Sequence, residues 1–551
     1  METPETAGRS RVAQPRPGAV DAGAPLAAGP GADLAVADIL ARIEQARATG
    51  GDEARRQAVV RQHALGKLSA RERIAAFGDP GSFREAGALV RPLPEHGETP
   101  DAPADGVITG DVRVDGRPVV VSATDFSVMG GSSGKAGGLK SARAIQYAID
   151  HGLPYVSLMD GGGHRIQEGL DSRHFAGVST PFKKMVDLSG WTPICAAMMG
   201  PGFAGPSNFA ALADFVVMVR GTSTMGIAGP ALVKAATGED LDKEELGGAS
   251  AQVDRYGIAD LAVDSDVEAL AAIRRYLSYF PSNARAPLPV HPCDDPVDRR
   301  DAALLEMVPP NSRRAYDVRK VMEAVADRGS IFELKPGYAR NVVTALARLD
   351  GRPVGIIANQ PKHFAGTLDS PACEKVAHFI SVCDAFGLPL VFFVDIPGFH
   401  VGSPAERSGL ALRSARIIYE LGRATVPRLS VILRKGYGLG FIAMNGGRTF
   451  GADLTVAWPT AEICAMSIEG AVDVAFRKDI DAAENPGARR AELIGKFRSR
   501  VSPLAAAEGF GVDDIIDPRD TRPVLIEALA RTAPRRSASS APPKFHDISP
   551  I

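Results

Sequence analysis

The sequence predicts an α/β protein made of two related units, each built around a mostly parallel sheet. Three observations carry that prediction. A set of landmarks recurs in the same order at a nearly constant spacing. The landmarks sit on short, almost continuously apolar runs, the pattern of strands buried on both faces. Helix-like stretches separate those runs, as β-α-β crossovers require.

The repeat is read directly. Gly152-Leu153-Pro154 opens an apolar run that ends in Asp160, and 235 positions later Gly387-Leu388-Pro389 opens a run that ends in Asp395. Thr192-Pro193-Ile194 and Val426-Pro427-Arg428 open a second pair of runs, 234 positions apart. Ala213-Asp214 and Ala452-Asp453 open a third pair, 239 positions apart. Small loop insertions account for the drift.

The remaining elements follow in chain order. Residues 1–34 are rich in Ala, Gly and Pro without periodicity, so a disordered tail is expected. A helical stretch is expected from about Leu34 to Gln62, followed by the segment Gly66-Lys67-Leu68-Ser69-Ala70-Arg71-Glu72-Arg73-Ile74. A basic segment from Ala284 to Arg300 holds four prolines and reads as a boundary. The units are placed at 35–290 and 296–535, with a polar tail at 536–551.

Bulk properties narrow the function. The chain has 551 residues and a formal net charge of -2, so no overall field favours nucleic acid or an anionic membrane. No apolar run is long enough to span a bilayer, and the N-terminus lacks a signal-peptide core. Cys195, Cys293, Cys373, Cys383 and Cys464 form no CxxC pair. Neither a zinc ribbon nor a disulfide framework is expected, but reduced thiols in a cytoplasmic protein.

Four Gly-rich turns follow the apolar runs: Asp160–Gly169, Gly200–Gly205, Asp395–Phe399 and Arg434–Phe441. Glycines after a buried strand let the main chain approach a ligand closely. Where a helix begins, unpaired N–H groups point outward and can hold an anion or an oxyanion formed during reaction. A tight turn with no ligand is the plainer reading of any one of them. The P-loop and dinucleotide-binding patterns do not fit. Ser132 and Ser133 lie outside a GxSxG elbow. His164, in the first turn, is either a base or a supporting residue. An enzyme lacking an evident acid–base side chain fits a reaction whose base comes from cofactor or substrate.

On these residues the chain resembles the carboxyltransferase β subunits of propionyl-CoA and acetyl-CoA carboxylases, over about residues 60–530. The segments are GKLSARERI, FSVMGGSSGKAGGLK, GGGHRIQEG, TGEDLDKEELGGA, YLSYFPSN, VGIIANQP, CDAFGLPL, VDIPGF, RKGYG, AWPTAEI and IEGAVDVAFRK, in that order. The resemblance implies a duplicated crotonase-like (ClpP/crotonase) fold. It implies transfer of a carboxyl group from N-carboxybiotin, on a separate carrier protein, to the α-carbon of an acyl-CoA through an enolate. No metal is implied. Lys140, Lys435 and Lys478 lack the Met neighbours of a biotin acceptor, so biotin carboxylase and carrier functions would come from partner chains. A hexamer, two stacked trimers, is expected.

The resemblance also assigns residues. Gly162 and Gly163 correspond to the amides that hold the thioester oxygen. Leu439 and Gly440 correspond to the amides that hold the biotin ureido oxygen. Gly130, Gly131, Ser132 and Gly134 lie in the CoA-proximal loop, and Ile442 falls where acyl selectivity is set, or in plain core. The departures cluster at the same places. Ser-Gly-Gly-Ala becomes Gly161-Gly162-Gly163-His164. Ala-Gly-Gly-Ala becomes Phe203-Ala204-Gly205-Pro206. Ala-Tyr-Gly-Gly-Ala-Tyr becomes Gly436-Tyr437-Gly438-Leu439-Gly440-Phe441, and Arg-His-Gly-Ala-Lys becomes Leu412-Arg413-Ser414-Ala415-Arg416. A Leu at 439 is expected to strain the turn unless its backbone angles suit a Cβ, and to narrow the biotin channel. Two alternatives therefore stand beside the carboxyltransferase. One is an acyl-CoA decarboxylase with His164 as proton donor; the other is a non-catalytic CoA-binding subunit.

Overall fold

The computed structural model describes residues 35–92, 101–170, 172, 176 and 181–535. The two tails expected at 1–34 and 536–551 lie outside them. The first half holds strands β1 (Arg84–Ala86), β2 (Val107–Val114), β3 (Arg117–Thr124), β4 (Tyr155–Met159), β5 (Ile194–Met198), β6 (Phe215–Val219) and β7 (Leu261–Val263), neighbours in that order. The second half holds β8 (Phe332–Leu334), β9 (Val342–Leu349), β10 (Arg352–Asn359), β11 (Leu390–Ile396), β12 (Arg428–Tyr437), β13 (Leu454–Ala457) and β14 (Asp514–Ile515), again in order. A short strand, Glu462–Cys464, also pairs with β12.

Pairing signs match strand for strand. β1–β2–β3 and β8–β9–β10 are antiparallel, and the strands that follow are parallel. The register matches too: Val120 pairs with Tyr155 and Tyr155 with Ile194, as Gly355 pairs with Leu390 and Leu390 with Arg428. The fold is the duplicated crotonase-like α/β fold. The apolar runs became strands because both their faces are covered: every residue of β4, β5, β6, β11 and β12 is buried.

The Gly-Leu-Pro landmarks have a local cause. Each ends a 17-residue helix, α1 (Lys135–His151) or α2 (Ser370–Phe386). Gly152 (φ 60°) and Gly387 (φ 82°) take the left-handed angle that stops the helix. Pro then directs the chain into β4 or β11. Both helices also bury a lysine. Lys140 donates to the carbonyls of Ala104 (3.2 Å) and Val107 (2.5 Å). Lys375, again 235 positions on, donates to those of Lys335, Tyr338 and Val342 at 2.9, 2.9 and 3.0 Å. Each amine ties the start of a hairpin to the crossover helix.

The helix expected over Leu34–Gln62 is two helices, Val36–Ala48 and Arg56–Ala64. Gly50-Gly51 interrupts them, since consecutive glycines give up helix propensity twice. The following segment forms helix Ala70–Phe77 with a Ser69/Glu72 capping box. Neither helix nor strand occupies 278–303. One apolar cluster runs through both halves, from Ala70 to Val512. Aromatic contacts join them: Phe215 lies 5.8 Å from Phe332, and Phe280 lies 5.5 Å from Phe386, centroid to centroid.

Candidate active site

The first-half turn follows β4. A Cβ on Gly131 would lie 2.2 Å from the Asp160 carbonyl oxygen, and one on Gly161 would lie 2.2 Å from that of Gly131. Two backbones therefore touch where no side chain fits. Met129, Gly130 and Gly131 all have positive φ (47°, 65° and 69°), which curls this loop under the turn. Gly161 N–H donates to the Pro201 carbonyl (3.0 Å) and Gly162 N–H to that of Gly130 (3.3 Å). Ser132 pairs with Gly163, and Ser133 with His164, in a two-residue parallel bridge. Gly130, Gly131, Ser132, Gly162, Gly163 and His164 are thus brought together. Gly163 (φ 86°) is faced by Pro206, whose Cδ is 3.2 Å from where a Cβ would stand.

Two buried charge clusters hold this turn. Asp160 is paired with Lys67 (2.7 Å) and Arg73 (2.8 Å), and Arg73 also pairs with Asp266 (2.7 Å). Burial pushes the Lys67 amine down, opposed by Asp160. Beside it Arg165 pairs with Asp105 and Glu168, both at 2.7 Å. Those carboxylates cap helix α1: Glu168 accepts from Lys135 N–H (2.8 Å) and Asp105 from Gly137 N–H (2.7 Å). Gly134 faces this cluster, since a Cβ there would lie 2.3 Å from an Arg165 nitrogen. Its lack of a side chain leaves room for Arg165, a reason the sequence pattern did not disclose.

The second-half turn follows β12. Tyr437 caps helix Gly438–Ala443 and makes no side-chain cap bond to it. The first-turn amides, Gly438 to Gly440, have no partner four residues back. Gly438 has φ 60°, but Leu439 is absent from the positive-φ residues and lies in the helix. The strain expected from a Leu at 439 therefore does not arise. Its side chain is 51% exposed, so it stands out from the first turn of the helix. Gly440 has a steric reason of its own: a Cβ would lie 2.8 Å from Ile396 and 2.9 Å from the Gly398 backbone. Ile442 is half-buried.

Asp395 sits under this turn as Asp160 sits under the first. It pairs with Arg434 (3.0 Å) and Lys435 (2.9 Å). Tyr437 Oη donates to Glu462 Oε2 at 2.7 Å. Neither the Lys67 and Arg73 clasp nor the Tyr437–Glu462 bond was read from the sequence. The partners are 25 or more residues apart, and no local pattern marks them.

Among the described residues no group of three or more His, Cys, Asp and Glu could hold a metal ion, and no helix is long and apolar enough to cross a membrane. All five cysteines are free.

Comparison with known proteins shows the family. Residues 61–548 match the family described as the carboxyl transferase domain. The propionyl-CoA carboxylase carboxyltransferase subunit of Haloferax mediterranei is 43% identical over 91% of this chain and 96% of its own length. The methylmalonyl-CoA decarboxylase subunit alpha of Veillonella parvula is 40% identical over 93% of this chain and 97% of its own. A solved structure of transcarboxylase 12S, described as a hexamer and holding methylmalonyl-coenzyme A and methylmalonic acid, superposes with TM-score 0.88 at 39% identity. It covers 94% of this chain and 99% of the other. The chain belongs to the carboxyl transferase domain family.

Proposed function

We propose that this chain is the carboxyltransferase subunit of a biotin-dependent acyl-CoA carboxylase. The observation that carries the reading is the first turn of helix Gly438–Ala443, which has no side-chain cap and whose N–H groups lack a partner four residues back, with Leu439 in unstrained helical backbone. Family membership and the 39% identical transcarboxylase structure support it.

Gly162 and Gly163 amides hold the acyl-CoA thioester oxygen as it gains enolate charge. The Gly162 N–H spends its bond on Gly130 at 3.3 Å, beyond the common range, so a ligand oxygen displaces a weak partner. Gly130, Gly131 and Ser132 shape the CoA side of that turn, and Gly134 seats the Arg165 cluster below it. Leu439 and Gly440 amides hold the ureido oxygen of biotin, and Ile442 forms a wall towards the acyl group. Biotin, when carried in by a partner protein, supplies the carboxyl group. Fixed amides aimed at developing charge cost no reorganisation in the transition state. Two such turns remove the need for a catalytic side chain.

The assembly in this reading is a hexamer in which a first-half turn of one copy faces a second-half turn of another. Its partners are a biotin carboxylase and a biotin carrier, and its place is the cytoplasm.

The test is incubation of the chain with methylmalonyl-CoA or malonyl-CoA and free biotin or a biotinylated carrier. Carboxybiotin formation supports the reading. A second reading, decarboxylation with His164 as proton donor, is favoured by His164 standing beside Gly163 in the turn and by the 40% identical decarboxylase subunit. Release of CO2 without biotin would establish it instead. CoA binding with neither reaction would leave a non-catalytic subunit.

A further inference from the structure

The internal duplication supplies a control for the second-half turn. Its equivalent in the first half follows β5, where Pro201-Gly202-Phe203 pairs with Thr224-Met225-Gly226. In the second half Lys435-Gly436-Tyr437 pairs with Glu462-Ile463-Cys464 in the same parallel register. Phe203 thus stands where Tyr437 stands, and Thr224 where Glu462 stands. Each residue precedes a positive-φ position, Ala204 at 65° and Gly438 at 60°, and then a six-residue helix, Gly205–Ala210 or Gly438–Ala443.

The chemistry of the two turns differs. Phe203 is apolar, and its ring lies against Gly226, Gly229 and Gly247, where added Cβ atoms would be 3.1, 3.5 and 2.9 Å away. That turn carries Pro206, which has no N–H, at the place of Gly440. In the second half Lys435 and Gly440 stand at the places of Pro201 and Pro206, so Gly438, Leu439 and Gly440 each keep an N–H in the first turn of the helix. There, and only in this half of the pair, a phenol–carboxylate bond of 2.7 Å joins the residue before the turn to the neighbouring strand. Just beyond it Ala465 presses on Gly438, where a Cβ would lie 2.9 Å from the Ala465 carbonyl oxygen. Strand 462–464 and its extension therefore grip both the last residue of β12 and the first of the helix.

We propose that Tyr437 and Glu462 are a positioning pair that holds the Leu439 and Gly440 amides in place for the biotin ureido oxygen. The inference rests on the carboxyltransferase reading and adds two residues to it. Neither side chain touches a reacting atom. The phenol is buried at 5% exposure, so its bond to Glu462 is worth more than a surface hydrogen bond and losing it loosens one peptide turn. Burial, with the Glu462 carboxylate second, pushes the phenol well up, so it stays a donor at physiological pH.

The experiment uses the full chain with free biotin and methylmalonyl-CoA. Tyr437→Phe and Glu462→Ala are each expected to raise KM for biotin about tenfold, one hydrogen bond to a charged acceptor. KM for methylmalonyl-CoA stays within about twofold, because the first-half turn is built separately. Glu462→Gln, which keeps an acceptor, restores most of the loss. The double variant Tyr437→Phe/Glu462→Ala is no worse than either single one, as coupled partners require. An unchanged biotin KM, or both KM values rising together, overturns the proposal. Hydrogen exchange of the peptide spanning 438–443 gives an independent decision. Tyr437→Phe is expected to speed exchange there and not at 160–165, and equal rates overturn the pair. If the wild-type chain makes no carboxybiotin, the carboxyltransferase reading fails, and the exchange result still decides whether the pair holds the turn.

Discussion

The two halves share a strand order but keep different turns. In the first, the turn after β4 retains Gly162 and Gly163, while the turn after β5 carries Pro206. In the second, the turn after β11 carries Pro397, while the turn after β12 retains Leu439 and Gly440. Pro397 stands at the place of Gly162, because Leu368 bridges Phe399 in parallel as Ser133 bridges His164. A proline thus removes one donor from each half, on opposite turns. The buried aspartates diverge as well. Asp160 is neutralised from outside the sheet, by Lys67 and Arg73 of the N-terminal segment. Asp395 is neutralised from the adjoining strand, by Arg434 and Lys435. On the function proposed above, one scaffold used twice divides two oxygen-binding tasks by small changes in its loops.

Removing an aspartate separates the two clasps most strongly. Asp160→Ala leaves Lys67 uncompensated and Arg73 with Asp266 alone, Asp395→Ala leaves both Arg434 and Lys435 uncompensated, and each is expected to cost about 3–5 kcal/mol, read by chemical denaturation. Asp160→Ala should also release the 66–77 segment to protease, whereas Asp395→Ala should not. Equal release in both would erase the distinction between the halves.

Next in size is Gly161→Ala, which sets a methyl against the Gly131 carbonyl. A cost of about 1–3 kcal/mol is expected, with KM for acyl-CoA rising more than that for biotin. Gly440→Ala should show the reverse ordering. Steady-state kinetics in both substrates checks the pair.

The buried lysines are the feature the halves share, and they sharpen the comparison through pH. Burial lowers Lys140 to about 8 and Lys375 to about 7, both from 10.5. Between those values and 10.5 the unfolded chain binds more protons than the folded one, so stability rises with pH across that window. Lys375→Met is expected to flatten the rise from about pH 7 upward, and Lys140→Met only from about pH 8. Denaturation at pH 6.5, 7.5 and 9 tests this.

The smallest effect is Leu439→Gly. Its side chain is exposed, so stability should fall by no more than about 1 kcal/mol, the propensity difference. KM for biotin should fall if Leu439 narrows the channel and stay constant if it only borders it.

Much of the architecture could be read from the chain alone. The Gly-Leu-Pro landmarks were visible because a left-handed C-cap, a proline and a buried strand each impose a residue type on consecutive positions. The four turns were visible for the same reason, and the resemblance gave them provisional roles. The break at Gly50-Gly51 was missed because apolar periodicity resumed on its far side.

The remainder depended on contacts between distant positions. Gly134 resembled a ligand-facing glycine, yet its neighbour is Arg165, held by Asp105 and Glu168. Leu439 looked strained until its φ placed it inside a helix. Lys67 and Glu462 sit in ordinary surroundings in the chain and acquire meaning only beside Asp160 and Tyr437. Local backbone preferences act over a few residues and leave a mark in the residues themselves. Buried charges and hydrogen bonds are chosen by whatever the fold sets against them, and so they belong to the tertiary structure.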